Sequence, residues 1–413
     1  MKKIYKALLV MICTFLVTVL CTKGISLWLL SHITKMYNEN VSLFSTIHGM
    51  AEKEKGNVWI NASLQGDELV ALGTSEFDVN LPQNITNLYS SMKNDQGICV
   101  MARVGTQNAL QTLRLGSNTA ALQGHDIVLV ESLQWFMGDE IDQDSFMNGF
   151  SELQFYEFLH NNQISKQNKR YLCGRYLEME ALRQAARSEE KSIHYDFPQT
   201  YVLARLYRST NPILQVLYQG MRPYYWSRYE LLKLKDLVET YGYMKNLLKN
   251  EEVASKDTES KDRLIWEDEF AEATVQGQAA CTNNDWYVSD DYYLQYLEGH
   301  LEERKDSYAH VQLMDCREWD DYLFLLSVCN DLGLKPYIIN QSCNGYYYDF
   351  AGMPLERRQA YYEQISNLAK EYGLDVYDGM IDLEYEPYVF LDVNHPGWKG
   401  WLYVDKAVEE YFR

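Results

Sequence analysis

The chain has 413 residues, of which 46% are hydrophobic and 23% are charged, and its formal net charge at pH 7 is −20. This length suffices for one large α/β domain with insertions or for two domains. The acidic excess argues against general nucleic-acid binding, because a phosphate backbone is held by basic surface.

The amino-terminal residues predict a membrane anchor. Three lysines in residues 1–6 precede an apolar run over residues 7–30, in which Lys23 is the one charged residue. About 20 apolar residues span a bilayer, and positive residues ahead of such a run favour a cytoplasmic amino terminus. We therefore predict a cytoplasmic tail over 1–6, a transmembrane helix over 7–30 and an extracytoplasmic remainder. A cleaved signal peptide is the alternative, although no small-x-small site follows the run.

Residues 31–68 are polar with some helical pattern and predict a stalk. Beyond them, short apolar runs alternate with amphipathic helical patterns, which is typical of a parallel sheet flanked by helices. The predicted strands lie in ELVALGTSEF, GICVMARVG, HDIVLVESLQWF, KPYIINQS and LDVYDG. We expect one α/β domain over residues 69–413.

A helical insertion is predicted to interrupt this domain over about residues 140–300. Within it, residues 203–249 carry eight Lys or Arg residues against three Asp or Glu residues. This basic excess is either a solvated helix face or a surface that faces anionic lipid or a polyanion. The polar residues 251–272 predict a loop. The six cysteines outside the anchor lack Cys-x-x-Cys spacing, so we expect no metal and no cofactor.

The residues that follow the predicted strands suggest acyl-transfer chemistry. In open parallel sheets, sites form at the carboxyl ends of the strands. Ser75 follows the first strand, and Asp392 and His395 lie in the late loop DVNHPGWKGW. A serine nucleophile needs a base in contact and an acid that orients the base. Ser75 as a helix cap and Asp392 as an N-cap beside an exposed histidine are the simpler interpretations, and no G-x-S-x-G elbow is present.

Several segments resemble a known family. ALGTSEF, VGTQNALQTL, ESLQWF with FSELQFYEFL, YIINQSCNGYYYDFAG and DVNHPGWKGW occur in the order found in the DltD family of D-alanyl-lipoteichoic acid biosynthesis proteins. The resemblance implies an extracytoplasmic SGNH-hydrolase-like domain with a flavodoxin-like parallel sheet. It also implies a role in placing D-alanine on teichoic or lipoteichoic acid, with a D-alanyl donor and a membrane O-acyltransferase of the same pathway as partners.

By position, the resemblance makes Ser75 the nucleophile, His395 the base and Asp392 the orienting acid. The backbone N–H groups of Ser75 and Gly105 and the side chain of Gln134 would then stabilise an oxyanion. The candidate substrate contacts are Thr74, Gln107, Trp135, Asn344 and Trp398, of which Asn344 is also the weaker oxyanion donor. Trp398 has an alternative role in packing the last helix.

Three positions depart from the usual family pattern. Thr74 stands where a serine is usual, Leu133 where a proline is common and Pro396 where an aliphatic residue is more usual. The expected function is a Ser-His-Asp acyltransferase at the outer face of the cell membrane. An anchored esterase or thioesterase that uses water as acceptor is one alternative, and a non-catalytic scaffold of the D-alanylation machinery is the other.

Overall fold

The computed structural model describes residues 2–91, 97–138, 142–187, 195–250 and 264–412, and within these ranges five strands form one parallel sheet. The strands are β1 (Leu69–Gly73), β2 (Ile98–Ala102), β3 (Ile127–Ser132), β4 (Tyr337–Gln341) and β5 (Val376–Tyr377). Their order is β2-β1-β3-β4-β5, which is the flavodoxin-like doubly wound order. The predicted α/β class is confirmed, and each predicted strand segment contains one of the five strands.

The helices surround this sheet and fill the insertion. They are α1 (Lys2–Glu39), α2 (Val41–Phe44), α3 (Ala51–Glu54), α4 (Val58–Ser63), α5 (Ile85–Ser91), α6 (Asn108–Ser117), α7 (Thr119–Leu122), α8 (Gln143–Gly149), α9 (Glu152–His160), α10 (Lys166–Ala186), α11 (Pro198–Arg208), α12 (Pro212–Leu247), α13 (Trp266–Ala280), α14 (Asp290–Tyr292), α15 (Leu301–Arg304), α16 (Glu318–Leu332), α17 (Gly345–Phe350), α18 (Leu355–Glu371) and α19 (Trp398–Phe412). Helices α8 to α14 lie within residues 140–300, where the helical insertion was predicted.

Both faces of the sheet are buried, which explains why its strands are apolar at nearly every position. Val70 and Leu72 of β1 point into a large core that also contains side chains of α6, α9, α10, α16 and α18. Leu69 and Ala71 point to the other face, where α19 contributes Trp401 to a smaller core. The alternation follows from the two-residue period of a strand.

The parallel register brings the carboxyl ends of the strands to one edge of the sheet. Gly73 at the end of β1 pairs with Ala102 at the end of β2. On the other side, Ser132 at the end of β3 pairs with Gln341 at the end of β4. The loops that follow these four strands therefore converge, as the position of a site in such a sheet requires.

The segment over residues 31–68 differs from the predicted stalk. Helix α1 continues without a break to Glu39, and Trp59 and Ile60 in α4 are fully buried in the cores of the globular body. Hydrogen bonds from the Gln154 side chain to the carbonyl oxygens of Glu54 and Gly56 fix this segment to α9. Its few inward-packing apolar side chains are accompanied by buried polar ones such as Lys53 and Glu54, so the burial follows no simple apolar periodicity.

The predicted polar loop over residues 251–272 is also only partly a loop. Its first part, residues 251–263, lies outside the described residues. Helix α13 begins at Trp266, and Ala273 within it is fully buried in a cluster with Leu402 of α19. The run of acidic residues Glu267, Asp268 and Glu269 in the first turn of α13 suits the positive end of a helix dipole.

Helix α1 provides one candidate membrane span within the described residues. The stretch Val17–Glu39 is long and apolar enough to cross a membrane. The side chains of Val17, Leu20 and Leu27 are exposed, as expected for a helix whose apolar surface meets lipid rather than the protein core.

Candidate active site

Ser75, His395 and Asp392 form one continuous hydrogen-bonded chain. The Nε2 atom of His395 lies 2.8 Å from the Oγ atom of Ser75, and its Nδ1 atom lies 2.6 Å from Oδ2 of Asp392. An Nδ1–H group directed at the Asp392 carboxylate leaves Nε2 as the acceptor for the serine hydroxyl. The structure therefore brings together the serine, histidine and acid whose association the sequence suggested.

The turn after β1 presents the serine. Thr74 is buried and leads into a single 3₁₀ turn, Ser75–Asp78, in which Ser75 is half-buried. The ring of Phe77 in this turn packs against Trp401 of α19, with ring centroids 5.5 Å apart. This packing holds the turn against the end of the sheet, while the Ser75 hydroxyl faces His395.

The loop that carries the acid and the base is held by its own backbone. The Oδ1 atom of Asp392 accepts hydrogen bonds from the N–H groups of Asn394 at 2.7 Å and His395 at 2.8 Å. Pro396 pairs with Phe390 in an isolated antiparallel bridge, which gives this proline a structural role. A side chain at Gly400 would collide with the carbonyl oxygen of Val389, so the close approach of α19 to the loop requires glycine.

Two side chains, one at the end of β4 and one in α17, also hold this loop. The side chain of Gln341 donates a hydrogen bond to the carbonyl oxygen of Asn394 at 2.7 Å, and the hydroxyl of Tyr348 donates to Oδ1 of Asn394. Sequence reasoning overlooked both residues. Gln341, which follows Asn340 at the end of the buried strand YIINQ, was the available signal, because a buried amide needs a partner.

The charge distribution of the site favours a strong base. Burial of the imidazole opposes protonation, but the hydrogen bond and charge of Asp392, together with Glu76 and Asp78, outweigh burial and raise the pKa of His395. Burial also disfavours the Asp392 carboxylate, yet its hydrogen bond to His395, the charge of His395 and the N–H groups it accepts lower its pKa. Asp392 is therefore ionised beside a histidine that accepts protons readily.

Gly105 contacts Thr74, the residue that precedes Ser75. Gly105 follows β2 with a φ of 73°, a left-handed conformation that favours glycine. Its N–H group donates a hydrogen bond to Oγ1 of Thr74 at 3.1 Å. The predicted donor is thus beside the serine, and its hydrogen is directed at a threonine hydroxyl.

Glu76 is a neighbour of the serine that sequence reasoning overlooked. Its carboxyl is fully buried and accepts the N–H of Thr74 at 2.9 Å. Burial raises the pKa of Glu76, while the charge of His395 and hydrogen bonds from the backbone and from the Gln134 side chain act in the opposite direction. Gln134 lies in the 3₁₀ turn Leu133–Phe136 after β3.

The remaining predicted contacts differ in how far their side chains are already engaged within the fold. Gln107 occupies the N-cap position of α6 and is half-buried, and Trp135 is buried in the main core. The Asn344 amide donates to the carbonyl oxygen of Trp286 at 2.8 Å and its Oδ1 atom caps α17, so this side chain is already committed to the fold. Trp398 is buried beside Leu402 in the cluster under α13.

Comparison with known proteins gives one consistent result. The family model described as DltD protein matches residues 49–413. The chain is 25% identical over 318 residues to Protein DltD of Bacillus subtilis (strain 168), covering 76% of this chain and 74% of the relative. It is 23% identical over 344 residues to Protein DltD of Staphylococcus aureus (strain NCTC 8325 / PS 47), covering 83% and 80%. Because the family model spans most of its length, the chain belongs to the DltD family.

Proposed function

We propose that this protein is a membrane-anchored acyltransferase that places D-alanine on teichoic or lipoteichoic acid outside the cell membrane. The observation that carries the proposal is the hydrogen-bonded chain from Ser75 through His395 to Asp392. Membership of the DltD family supports the pathway, and the apolar helix α1 supports the anchor.

The first half-reaction forms an ester on Ser75. His395 Nε2 removes the hydroxyl proton as Ser75 Oγ attacks the carbonyl carbon of a D-alanyl donor. The bond to the leaving group then breaks, and the imidazolium returns the proton to that group. Asp392 stabilises the imidazolium through its carboxylate at 2.6 Å.

The second half-reaction passes the D-alanyl group to the polymer. A hydroxyl of a polyol-phosphate chain attacks the seryl ester, His395 takes the hydroxyl proton, and the proton returns to Ser75 Oγ as the ester bond breaks. The polymer acquires the ester and the enzyme is regenerated. Water in place of the polymer hydroxyl would give hydrolysis, so transfer depends on excluding water from the esterified site.

The oxyanion of each tetrahedral intermediate would be held by the N–H groups of Ser75 and Gly105 and by the Gln134 amide. For Gly105, this requires the substrate oxygen to displace Thr74 Oγ1 as acceptor, since the two now lie 3.1 Å apart. Losing one such donor typically costs about 2.7–4 kcal/mol of transition-state stabilisation. Thr74, Gln107 and Trp135 stay proposed substrate contacts because they border these turns.

Three of the eight basic residues within residues 203–249 form ion pairs with carboxylates. Arg228 forms a bidentate ion pair with Glu152, Lys233 pairs with Glu230, and Lys235 pairs with Glu239. We therefore propose the polymer and the membrane O-acyltransferase as partners on the ground of family membership rather than on this surface.

A direct test is mass spectrometry of Ser75 in cells that carry the complete D-alanylation machinery. We expect a D-alanyl adduct on Ser75 in the intact protein, and loss of both the adduct and wall D-alanine in Ser75→Ala. The matched control is Ser227→Ala, which removes an exposed hydroxyl from α12 and should change neither. Normal wall D-alanine with folded, membrane-bound Ser75→Ala protein would favour a scaffold, and release of free D-alanine alone would favour hydrolysis.

A further inference from the structure

Helix α12 carries an apolar stripe along its exposed face. The stripe consists of Ile213, Val216, Leu217, Tyr224, Leu231 and Val238, whose exposed fractions lie between 47% and 77%. Their spacings are three, four and seven residues, so the six side chains lie on one side of the helix. Large apolar side chains that line up in this way on a surface mark a site of interaction.

The opposite face of α12 is bound firmly to the protein body. Tyr225 and Tyr229 are buried, and the Asp236 carboxylate accepts the N–H groups of Asn57 at 2.9 Å and Val58 at 3.0 Å. The rotation of the helix about its axis is therefore fixed, and the stripe cannot turn inward. The exposed apolar face is a feature of the folded protein.

Helix α12 also packs against the candidate membrane span. Leu237 and Met244 of α12 share a buried cluster with Leu29 and other side chains of α1, and the rings of Tyr241 and Trp28 lie 5.7 Å apart. Residue 28 lies near the end of the apolar run over 7–30, where α1 leaves the body. The stripe consequently belongs to a helix that is held beside the outer end of the span.

We propose that the stripe of α12 lies in the outer surface of the lipid bilayer, so that the protein is held by an in-plane helix as well as by α1. The proposal rests on α1 spanning the membrane. Continuity with the span identifies lipid as the occupant, because an apolar face beside a membrane helix meets acyl chains and headgroups first.

The side chains around the stripe suit this occupant. Tyr224 within the stripe is exposed, and tyrosine is enriched where a protein crosses the membrane interface. Lys245 and Lys249 are exposed at the carboxyl-terminal end of the helix, where their ammonium groups can reach anionic headgroups. Apolar, aromatic and basic residues in this combination are typical of helices that lie in the membrane surface.

The orientation also has a consequence for the proposed reaction. A body held at two places on the membrane cannot rotate freely about α1, so its sheet edge with Ser75 would keep a constant orientation toward the membrane. A donor delivered by a membrane enzyme would then meet the serine from one direction. The membrane contact itself does not depend on Ser75 chemistry and is tested separately.

The test uses nitroxide labels on the full-length chain in single-copy nanodiscs of phosphatidylcholine and phosphatidylglycerol. Cys13, Cys21 and Cys316 are first replaced by serine, since the other cysteines are buried. One label is placed at Leu231→Cys on the stripe, where the side chain is 65% exposed. The matched control is Val275→Cys, a 66% exposed aliphatic position on α13, which packs on α19. A third label at Val17→Cys reports whether the candidate span in α1 lies in the bilayer.

Collision rates with molecular oxygen and with a water-soluble nickel chelate distinguish lipid from water. We expect the label at Leu231→Cys to collide far less often with nickel than the label at Val275→Cys, and to keep a high collision rate with oxygen. Equal nickel accessibility at the two positions, with the Val17→Cys label in lipid, would overturn the proposal.

Two further outcomes would also overturn it. Shielding of the Leu231→Cys label from both reagents would mean that protein covers the stripe, either a second copy or a partner helix. A Val17→Cys label that is open to nickel would remove the membrane span on which the proposal rests. Neither result bears on the Ser75 adduct, which is measured by mass spectrometry in a different sample.

Discussion

The backbone N–H of Gly105 donates a hydrogen bond to Thr74 Oγ1 at 3.1 Å, immediately beside the proposed nucleophile. The donor that an oxyanion would need is therefore already paired within the protein. Thr74 follows β1 and Gly105 follows β2, so this bond also joins the ends of two paired strands. Its strength affects both the stability of the site and the ease with which a substrate oxygen can replace Thr74.

Replacing Thr74 measures how much its hydrogen bond with Gly105 contributes to stability. Thr74→Ser keeps the hydroxyl, and we expect near-normal stability and seryl-ester formation. Thr74→Val keeps the shape but removes the acceptor. The Gly105 N–H then lacks a partner, which is expected to lower the free energy of unfolding by about 1–3 kcal/mol. Denaturant unfolding of both variants measures this difference. A Thr74→Val protein as stable as Thr74→Ser would mean that water satisfies the Gly105 N–H.

Asp392→Asn tests the orientation of the base. The amide cannot hold the imidazole in the tautomer that accepts the serine proton, so we expect the rate of Ser75 acylation to fall on the order of 10⁴-fold. The rate can be followed with a small D-alanyl thioester as donor. The fold should survive, because the amide oxygen can still accept the N–H groups of Asn394 and His395. A loss of less than tenfold would argue against a catalytic role.

The pH dependence of acylation follows from the raised pKa of His395. Only the neutral imidazole can accept the serine proton, so the acidic limb of the rate profile should lie above the ordinary histidine pKa of about 6.5. In Asp392→Asn, the carboxylate that raises this pKa is absent, and the limb should move to lower pH. An unchanged limb in the variant would assign the titration to another group.

Glu76→Gln tests the buried acid next to the nucleophile. The amide can still accept the Thr74 N–H, but it lacks the negative charge that contributes to the raised pKa of His395. We expect folded protein whose acidic limb lies at lower pH than in the native protein. Glu76→Ala also removes the acceptor and should lose stability as well. If both variants retain the native pH profile, Glu76 has a structural role alone.

The buried residues of α4 predict where the chain can be shortened. Deleting residues 1–27 removes the amino-terminal part of α1 and leaves Leu29, Trp59 and Ile60 in place, so we expect a folded domain with cooperative thermal unfolding. Deleting residues 1–68 removes these core side chains, and losing a single buried Trp already costs about 3–5 kcal/mol. Cooperative unfolding of the shorter chain would show that residues 31–68 are dispensable, as a stalk would be.

The sheet is predictable because its strands rest on a strong local pattern, whereas the association of the serine, histidine and acid was suggested by their positions after strand ends and by the family resemblance. The strands are runs of apolar residues with turn residues at their ends, and parallel register then requires Ser75 and Gly105 to lie at one edge. Helix α4 is different, since its burial depends on Asp236, nearly 180 residues away, accepting its first N–H groups. The bond between Gly105 and Thr74 is equally invisible in sequence, because it depends on side-chain rotation within a turn.

Ser75 and His395 are separated by 320 positions in the chain, which imposes an order on the assembly of the proposed site. When the extracytoplasmic part is exported from its amino-terminal end, the proposed nucleophile emerges long before its base. We expect Ser75 to stay unreactive until His395 has been exported, because an unassisted serine hydroxyl is a poor nucleophile. A nascent or prematurely terminated chain is thereby prevented from trapping acyl groups.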